Sequence, residues 1–439
     1  MKYFIETYGC QMNVYDSELI STILKEDGYE EAENISEAEI FFVNTCAVRE
    51  NATERVINKL RQHNMYKRKG RMKIMGVLGC MPQHDNDMLK ERLPFVDIFA
   101  GPDSYRRLPE LIKKAINHKR NEFEEDIIHD KTENYDQIFP SRKEGTNAFI
   151  AITRGCNNFC TYCVVPYTRG RERSRDIDSI LEEVNETIDM GFTEITLLGQ
   201  NVNSYVSGEY NFPKLLKRIS EVNGVRRLRF ATSHPKDLDD ELIEVIAEKN
   251  NICNNFHIPF QSGSNKILRD MNRGYTIENY LDKIDKLKNA IPGITLTTDI
   301  IIGFPGETDE DFQKTLDVVG SVGYDNAFTF IYSERKNTAA ERRFPDNVPK
   351  EIKAERMQKL TEVQKNIGLS KLREDIGKVK EVLVESKSKK REWQLKGRTE
   401  ENRIVIFDGR FGIRSGDYVN VRIKDAEGIT LFGELIDIE

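Results

Sequence analysis

Residues 148–163 read AFIAITRGCNNFCTYC, an apolar run followed at once by three thiols. The run AFIAITRG has the β-branched and aromatic content of a strand. Behind it, Cys156, Cys160 and Cys163 have the spacing C-x3-C-x2-C and are three of the seven cysteines in the chain. Thiolates on a short loop are the ligands of iron–sulfur clusters. Three thiolates leave one iron of a 4Fe–4S cubane without a protein ligand, open to a small molecule. A zinc site would call for a fourth Cys or His, and the histidines nearest in sequence, His129 and His234, are far from the motif. Three incidentally buried thiols are the competing reading, and the tight spacing argues against it.

Working outward from this stretch, five more strand candidates follow: EITLLGQN, RLRFATS, NFHIPFQ, ITLTTDIIIGF and AFTFIYS. Amphipathic helices such as DSILEEVNETIDMG and ENYLDKIDKLKNA lie between them. Six βα units over 146–375, closed by a long charged helix near 349–375, suggest a partial (β/α)6 barrel. In such barrels the loops after the strands build the active face. The cysteine loop follows the first strand. Gln200, Ser233, Gln261 and Asp299 are placed at later strand ends, where polar groups can bind a ligand or simply cap a turn. Tyr162 offers a ring beside the cysteines, for a purine or for ordinary packing.

Upstream, residues 1–118 alternate strands KYFIETYG, EIFFVNTC, MKIMGVLGC and DIFAG with helices, the pattern of a parallel sheet with helical cover. Cys10, Cys46 and Cys80 each follow one of these strands directly. In a parallel sheet such ends share one edge, where ligands bind. The three can therefore converge as a second thiolate set, although buried cysteines are also common in strands. Residues 119–145 are charged and weakly periodic, and read as a linker or extended crossover. Downstream, residues 377–439 read as short strands with Gly and Asp-Gly turns, a small all-β barrel. Cys253 is left over and reads as a core thiol.

A chain of 439 residues calls for more than one domain, and a 38% hydrophobic fraction supplies real cores. No apolar run reaches the roughly eighteen residues of a membrane span. The start MKYFIETYGCQ lacks the pattern of a signal peptide, so a cytoplasmic address is expected. A net charge of −7 argues against indiscriminate nucleic-acid binding but leaves room for local basic patches. Two such runs stand out. TRGRERSR carries Arg169, Arg171, Arg173 and Arg175, and KSKKRE carries Lys387, Lys389, Lys390 and Arg391. Residues 377–439 hold 13 Lys and Arg against 12 Asp and Glu, so the tail as a whole is near neutral. Phe411 and the lone Trp393 are candidates to stack on bases, with core packing favoured for Trp393.

The stretch CNNFCTYCVVPYTRGRERSR resembles the S-adenosylmethionine (SAM) site of radical SAM enzymes, and more narrowly that of the methylthiotransferases. TYGCQMN and NTCAVRENATER are similar to the N-terminal domain of that family, and the C-terminal strands resemble its TRAM domain, a small RNA-binding barrel. The resemblance covers essentially the whole chain and is strongest to the MiaB type, which methylthiolates tRNA. It implies two 4Fe–4S clusters, with Cys156, Cys160 and Cys163 holding the one that binds SAM and Cys10, Cys46 and Cys80 holding the one that supplies sulfur. It implies reductive cleavage of SAM to methionine and a 5′-deoxyadenosyl radical. Hydrogen abstraction from C2 of an adenine follows, then methylation of the sulfur by a second SAM. The product would be 2-methylthio-N6-isopentenyladenosine beside the anticodon. The implied partners are the tRNA anticodon stem-loop and an electron donor such as flavodoxin or ferredoxin, with no membrane and a monomeric chain. Tyr162, Gln200, Ser233, Gln261 and Asp299 would be the SAM contacts. Arg169, Arg171, Arg173, Arg175, Lys389, Lys390 and Arg391 would be the RNA contacts. The competing readings are the same chemistry on N6-threonylcarbamoyladenosine tRNA or on a ribosomal protein, and a non-catalytic iron–sulfur RNA-binding sensor.

Overall fold

The computed structural model describes residues 1–47, 50–118, 122–142 and 145–437. Val48 and Arg49 of the NTCAVRENATER motif, residues 119–121 and 143–144 of the 119–145 segment, and the last two residues of the tail lie outside it.

The N-terminal unit runs β1 (Lys2–Tyr8), α1 (Gln11–Glu26), β2 (Glu30–Glu31), β3 (Ile40–Thr45), α2 (Glu50–Arg68), β4 (Ile74–Gly79), α3 (Cys80–Arg92), β5 (Ile98–Ala100), α4 (Leu108–Ala115) and β6 (Glu124–Asp126). The strands form one sheet in the order β2-β1-β3-β4-β5-β6, and every pairing is parallel. β3 and β4 are buried at every residue, as a parallel sheet covered on both faces requires. Leu19, Ile20 and Leu24 of α1 pack on one face with Tyr3 and Phe42. Val56, Ile57 and Leu60 of α2 pack on the other with Phe41 and Val43. Residues 122–142 of the 119–145 segment are packed rather than free. They supply β6 to the sheet, and Tyr135 is fully buried, stacked on Tyr105 at 5.7 Å. The many charges there hide short contacts with both neighbouring units, such as Asn134 Nδ2 donating to the Ser174 carbonyl at 2.9 Å.

The central unit begins with β7 (Asn147–Ala151). The cysteine loop follows, pinched by the antiparallel pair β8 (Thr153–Arg154) and β9 (Arg173–Ser174) around α5 (Val165–Thr168). Then come α6 (Ile177–Asp189), β10 (Glu194–Leu198), the hairpin β11 (Val206–Ser207) and β12 (Tyr210–Asn211), α7 (Phe212–Ser220), β13 (Arg227–Phe230), α8 (Asp240–Glu248), β14 (Asn255–His257), α9 (Asn265–Asp270) and α10 (Ile277–Ala290). β15 (Thr295–Ile302), α11 (Asp309–Val322), β16 (Asn326–Ile331), α12 (Ala339–Arg343) and α13 (Lys350–Arg373) complete it. Two parallel sheets, β7-β10-β13 and β14-β15-β16, are joined by a bridge between Leu228 and Ile252. Six parallel strands with outer helices make the expected partial barrel.

The C-terminal strands β17 (Val379–Lys387), β18 (Gln394–Thr399), β19 (Ile404–Asp408), β20 (Tyr418–Glu427) and β21 (Thr430–Asp437) close into a barrel in the order β17-β18-β19-β21-β20. Among the described residues no helix is long and apolar enough to cross a membrane.

Two seams lock these units together. At the strand-end face, Met12 and Tyr15 of α1 pack with Phe149, Ala151, Leu198 and Ala231 of the partial barrel. At the opposite end, the β18–β19 turn plugs the barrel floor. Arg229 pairs with Glu194 at 3.1 Å and donates to the carbonyls of Thr399 at 2.9 Å and Glu400 at 2.6 Å. Arg227 donates to the carbonyls of Arg398 and Glu381, both at 3.0 Å. Arg229→Met should therefore leave the buried Glu194 with only Arg227, 3.8 Å away, and strip two carbonyls of their donor, a loss of about 3 kcal/mol. The expected readouts are a lowered thermal midpoint and early proteolytic release of the C-terminal barrel. An unchanged midpoint would show that the plug does not hold the units together.

Candidate functional site

The three N-terminal cysteines follow β1, β3 and β4, which are consecutive neighbours in the sheet. Adjacent strands lie roughly 4.8 Å apart, so their ends fall side by side. A buried amide pair fixes the first two. Asn13 Nδ2 donates to Asn44 Oδ1 at 3.1 Å and to the Thr45 carbonyl at 3.2 Å, while Asn44 Nδ2 returns a bond to the Asn13 carbonyl at 3.0 Å. Cys10 opens α1 with its thiol on Asn13 Oδ1 at 3.3 Å. Cys46 N–H bonds the Tyr8 carbonyl at 3.0 Å. Cys80 opens α3 behind Gly79, whose φ is +94°. A Cβ at Gly79 would meet the Thr45 carbonyl at 2.6 Å, so glycine is required for this approach.

Cys10 is exposed, whereas Cys46 and Cys80 are buried. The Cys46 thiol as hydrogen-bond neighbour, helped by the Arg169 charge, draws Cys10 below the usual thiol range. Burial pushes Cys80 up, with Arg169 opposing.

The second loop is held from two sides. Thr161 N–H bonds the Met271 carbonyl at 3.0 Å, its hydroxyl bonds the Asp270 carbonyl at 2.8 Å, and its own carbonyl accepts from Ala340 N–H at 2.8 Å. Asn272 Nδ2 donates to the Phe159 carbonyl at 3.0 Å. Gly155 has φ +76°, and a Cβ there would strike the Arg171 carbonyl at 2.2 Å. Donors already reach the sulfurs: Asn158 N–H to Cys156 Sγ at 3.5 Å and Arg273 Nη1 to Cys160 Sγ at 3.2 Å. Burial raises Cys163 to about 12. Ala47, Cys80 and Val164 form one small buried cluster where the two units touch. Cys80 packs against Val164, the residue after Cys163.

Above the barrel strands, the structure leaves polar atoms unfilled. Ser233 Oγ, Gln261 Oε1 and Thr153 Oγ1 are buried without a hydrogen-bond partner. Buried polar groups are rarely left so, and these three sit at strand ends beside the cysteine loop. Gln261 holds φ +67°, a left-handed backbone that a turn here imposes. Gln200 Oε1 accepts from Gly155 N–H at 2.5 Å. Tyr162 packs against Ile267, Met271 and Phe304. Asp299 differs from expectation. It lies inside β15 rather than at its end, facing His257 at 3.5 Å on the barrel's inner wall. Thr153 escaped the sequence reading. Its position just before the cysteine loop was the available signal.

The arginines of TRGRERSR are a correction. The alternating spacing suggested four cations facing RNA. Arg169 is buried on Asp16 at 2.8 Å, and Asp16 also pairs with Arg154 at 2.8 Å. Arg175 is buried on Glu183 at 2.5 Å. Arg173, 7% exposed at its side chain, is on Asp103 at 2.8 Å. Asp16 and Asp103 belong to the N-terminal unit, so these side chains tie it to the barrel and do not face RNA. Arg171 alone of the four is exposed, its guanidinium 5.3 Å from the Phe159 ring. Lys389, Lys390 and Arg391 are exposed. Trp393 is also a correction. It is 62% exposed at a barrel rim, with Arg391 5.7 Å from its ring. Gly409 N–H bonds the Trp393 carbonyl at 2.9 Å, which brings the exposed Phe411 loop alongside. Cys253 is buried, as expected of a core thiol.

Residues 150–319 match the Radical SAM superfamily, residues 2–101 match Uncharacterized protein family UPF0004, and residues 373–436 match the TRAM domain. The chain is 49% identical over 440 residues to tRNA-2-methylthio-N(6)-dimethylallyladenosine synthase of Bacteroides fragilis, covering 99% of this chain and 95% of the relative. It is 48% identical to the protein of that name from Bacteroides thetaiotaomicron, covering 99% and 96%. The one from Porphyromonas gingivalis is 46% identical, covering 99% and 95%. Among solved structures, the radical S-adenosylmethionine methyltransferase TsrM from Kitasatospora setae, with cobalamin and a 4Fe–4S cluster bound, superposes with a TM-score of 0.57 at 14% identity, covering 77% of each chain. At that identity the likeness shows the fold.

The seam beside the thiols makes a pH-dependent stability. Glu18 of α1 is raised from 4.5 to about 7, first by burial and then by the nearby Glu183, with Arg142 opposing. The folded state therefore holds this proton more tightly than the unfolded chain. Its contribution is complete below about pH 4.5 and is lost as pH rises through about 7. Glu18→Gln should raise the thermal midpoint at pH 8 and change it little at pH 4.5. Equal shifts at both pH values would show that Glu18 is charged in the fold throughout.

Proposed function

Because this chain belongs to the tRNA-2-methylthio-N(6)-dimethylallyladenosine synthase family, we propose that it methylthiolates C2 of N6-isopentenyladenosine beside the anticodon of tRNA. The observation that carries this reading is that Cys80 of the N-terminal set shares one buried cluster with Val164, the residue after Cys163.

The cysteines supply the donor chemistry of two 4Fe–4S clusters, and among the described residues no three thiols are already gathered as a metal site. Each set offers three thiols and leaves one corner for a small molecule. When bound, one cluster supplies the electron that cleaves SAM and the other supplies sulfur. The chain does the rest. Gly155 and Gly170 let the Cys156 loop turn back on itself, Cys156 N–H bonding the Gly170 carbonyl at 3.2 Å. Ser233, Gln261 and Thr153 present unfilled polar atoms to a SAM held at the strand ends, and Gln200 and Tyr162 border that space. Asp299, deeper in the barrel with His257, faces the region an adenine would enter. α1 caps this mouth through Met12 and Tyr15, which holds Cys10 over it and excludes water.

In this reading the anticodon loop enters at the strand-end face, while the C-terminal barrel, docked at the opposite end, holds a more distant part of the tRNA. Exposed Arg171 stands near the cysteine loop, while Lys389, Lys390, Arg391, Trp393 and Phe411 line one rim of the tail. The electron donor in this reading is a flavodoxin or ferredoxin, and the chain works as a cytoplasmic monomer.

The iron assay tests the assignment. Anaerobically reconstituted protein should hold about eight irons. Replacing Cys156, Cys160 and Cys163 by Ala should halve that and abolish 5′-deoxyadenosine formation. Replacing Cys10, Cys46 and Cys80 should halve iron and lose the methylthio product while 5′-deoxyadenosine persists. Full iron in either triple variant would overturn the cluster reading.

For RNA, base stacking on an aromatic ring is worth about 1–3 kcal/mol. The double variant Trp393→Ala, Phe411→Ala should raise KM for tRNA at least about tenfold with 5′-deoxyadenosine formation from SAM alone unchanged. An unaltered KM would assign RNA binding to the other two units.

A further inference from the structure

Seven arginines are buried among the described residues: Arg154, Arg169, Arg175, Arg227, Arg229, Arg273 and Arg356. Six of them have a carboxylate at ion-pair distance. Arg154 and Arg169 share Asp16, Arg175 has Glu183, Arg227 has Glu381, Arg229 has Glu194, and Arg356 has Glu307. Arg273 has none among the described residues, although it is 5% exposed. A buried guanidinium without an anion is costly, and stable folds do not leave one unpaired.

Its partners are few and specific. Nη1 donates to Cys160 Sγ at 3.2 Å and lies 3.5 Å from the Tyr162 hydroxyl. Nη2 donates to the Pro259 carbonyl at 3.0 Å, and Nε to the Tyr275 hydroxyl at 3.3 Å. The Tyr275 ring lies 5.5 Å from the guanidinium carbon. Pro259 and Tyr275 thus aim the fork, and the backbone N–H of Arg273 is pinned to the Leu268 carbonyl at 2.9 Å. The only group among these partners that can carry a full negative charge in the working enzyme is the Cys160 sulfur.

Resting on the assignment of a cluster to Cys156, Cys160 and Cys163, we propose that Arg273 is a positioning residue for that cluster's electron uptake. Its charge, delivered through the bond to Cys160 Sγ, favours the reduced form over the oxidised one. The chemistry is elementary. One added electron increases negative charge at a buried place, and a fixed cation close by stabilises that charge strongly where the dielectric is low. Hydrogen bonds to the sulfurs and local charge are established levers on cluster potential. Electron balance needs only the one-electron donor the activity already requires, and no proton or bond changes at Arg273.

The test uses full-length protein in which Cys10, Cys46 and Cys80 are replaced by Ala, so that a single reconstituted cluster gives the spectroscopic signal. Its midpoint potential is read by electron paramagnetic resonance during redox titration, beside iron content. Failure of the parent protein to bind about four irons would indict the cluster assignment itself, before any arginine variant is made. With the parent loaded, Arg273→Gln should retain iron and become harder to reduce. About a tenfold loss in the reduction equilibrium corresponds to about 59 mV for one electron. Arg273→Lys keeps the charge and should stay near the parent potential. If Arg273→Gln cannot hold iron, the Lys variant decides alone: iron and potential retained support the charge role, and loss of both overturns it. A Gln variant with full iron and unchanged potential also overturns it, leaving Arg273 as packing.

Discussion

Asp16 is the charge on which the arrangement turns. It sits on α1, six residues after Cys10, with no side-chain exposure, and takes Arg154 on one oxygen and Arg169 on the other. Arg154 lies between the first barrel strand and the cysteine loop, and Arg169 six residues beyond Cys163. One carboxylate therefore fixes the N-terminal sheet against both ends of the loop that carries the other thiols. Two cations on one anion leave the pocket with surplus positive charge, and that surplus faces Cys10 and Cys80, whose thiolate forms Arg169 favours. The pair is buried, so solvent does not screen it, and it joins mechanical docking to the electrostatics of the sulfur atoms.

That three distant cysteines follow neighbouring strand ends was legible because parallel sheets leave little freedom. Once β1, β3 and β4 are strands of one parallel sheet, residues after each must emerge on one edge. That argument needs no side-chain detail, and the observed order β1-β3-β4 makes the three ends consecutive. The six-stranded barrel and the closed C-terminal barrel were legible for the same reason: strand period, helix period and turn residues are local properties.

What was not legible depends on pairing at long range. Nothing in TRGRERSR announces that Arg169 meets a carboxylate 153 residues upstream. A basic run reads as an exposed cationic face until its acids are located, and here three of four arginines turn inward because the chain must cross a seam between units. The charged 119–145 segment misleads likewise, since its few anchors, Tyr135 above all, are scattered among solvated charges. Trp393 erred in the other direction. A single tryptophan is on average a buried residue, but the barrel interior is already filled by Val382, Val405, Phe407, Val421 and Leu431, which leaves the indole at the rim.

These pairings also explain how a chain of net charge −7 handles anionic RNA. The acids are not spread evenly against the bases. Asp16, Asp103, Glu183, Glu194 and Glu307 are consumed inside the protein, each by an arginine that consequently offers nothing to a phosphate. The cations left at the surface of the rim, Lys389, Lys390 and Arg391, are few and lie beside two exposed rings. A surface built this way draws more of its grip from stacking than from counterion release. That suits a task in which one base must be presented to a narrow barrel mouth, because stacking selects an unpaired, splayed loop whereas phosphate contacts accept any duplex. In the proposed reading the near-neutral tail and the arginine-rich interior are two sides of one division: charge holds the units together, and the exposed aromatic surface is what is offered to RNA.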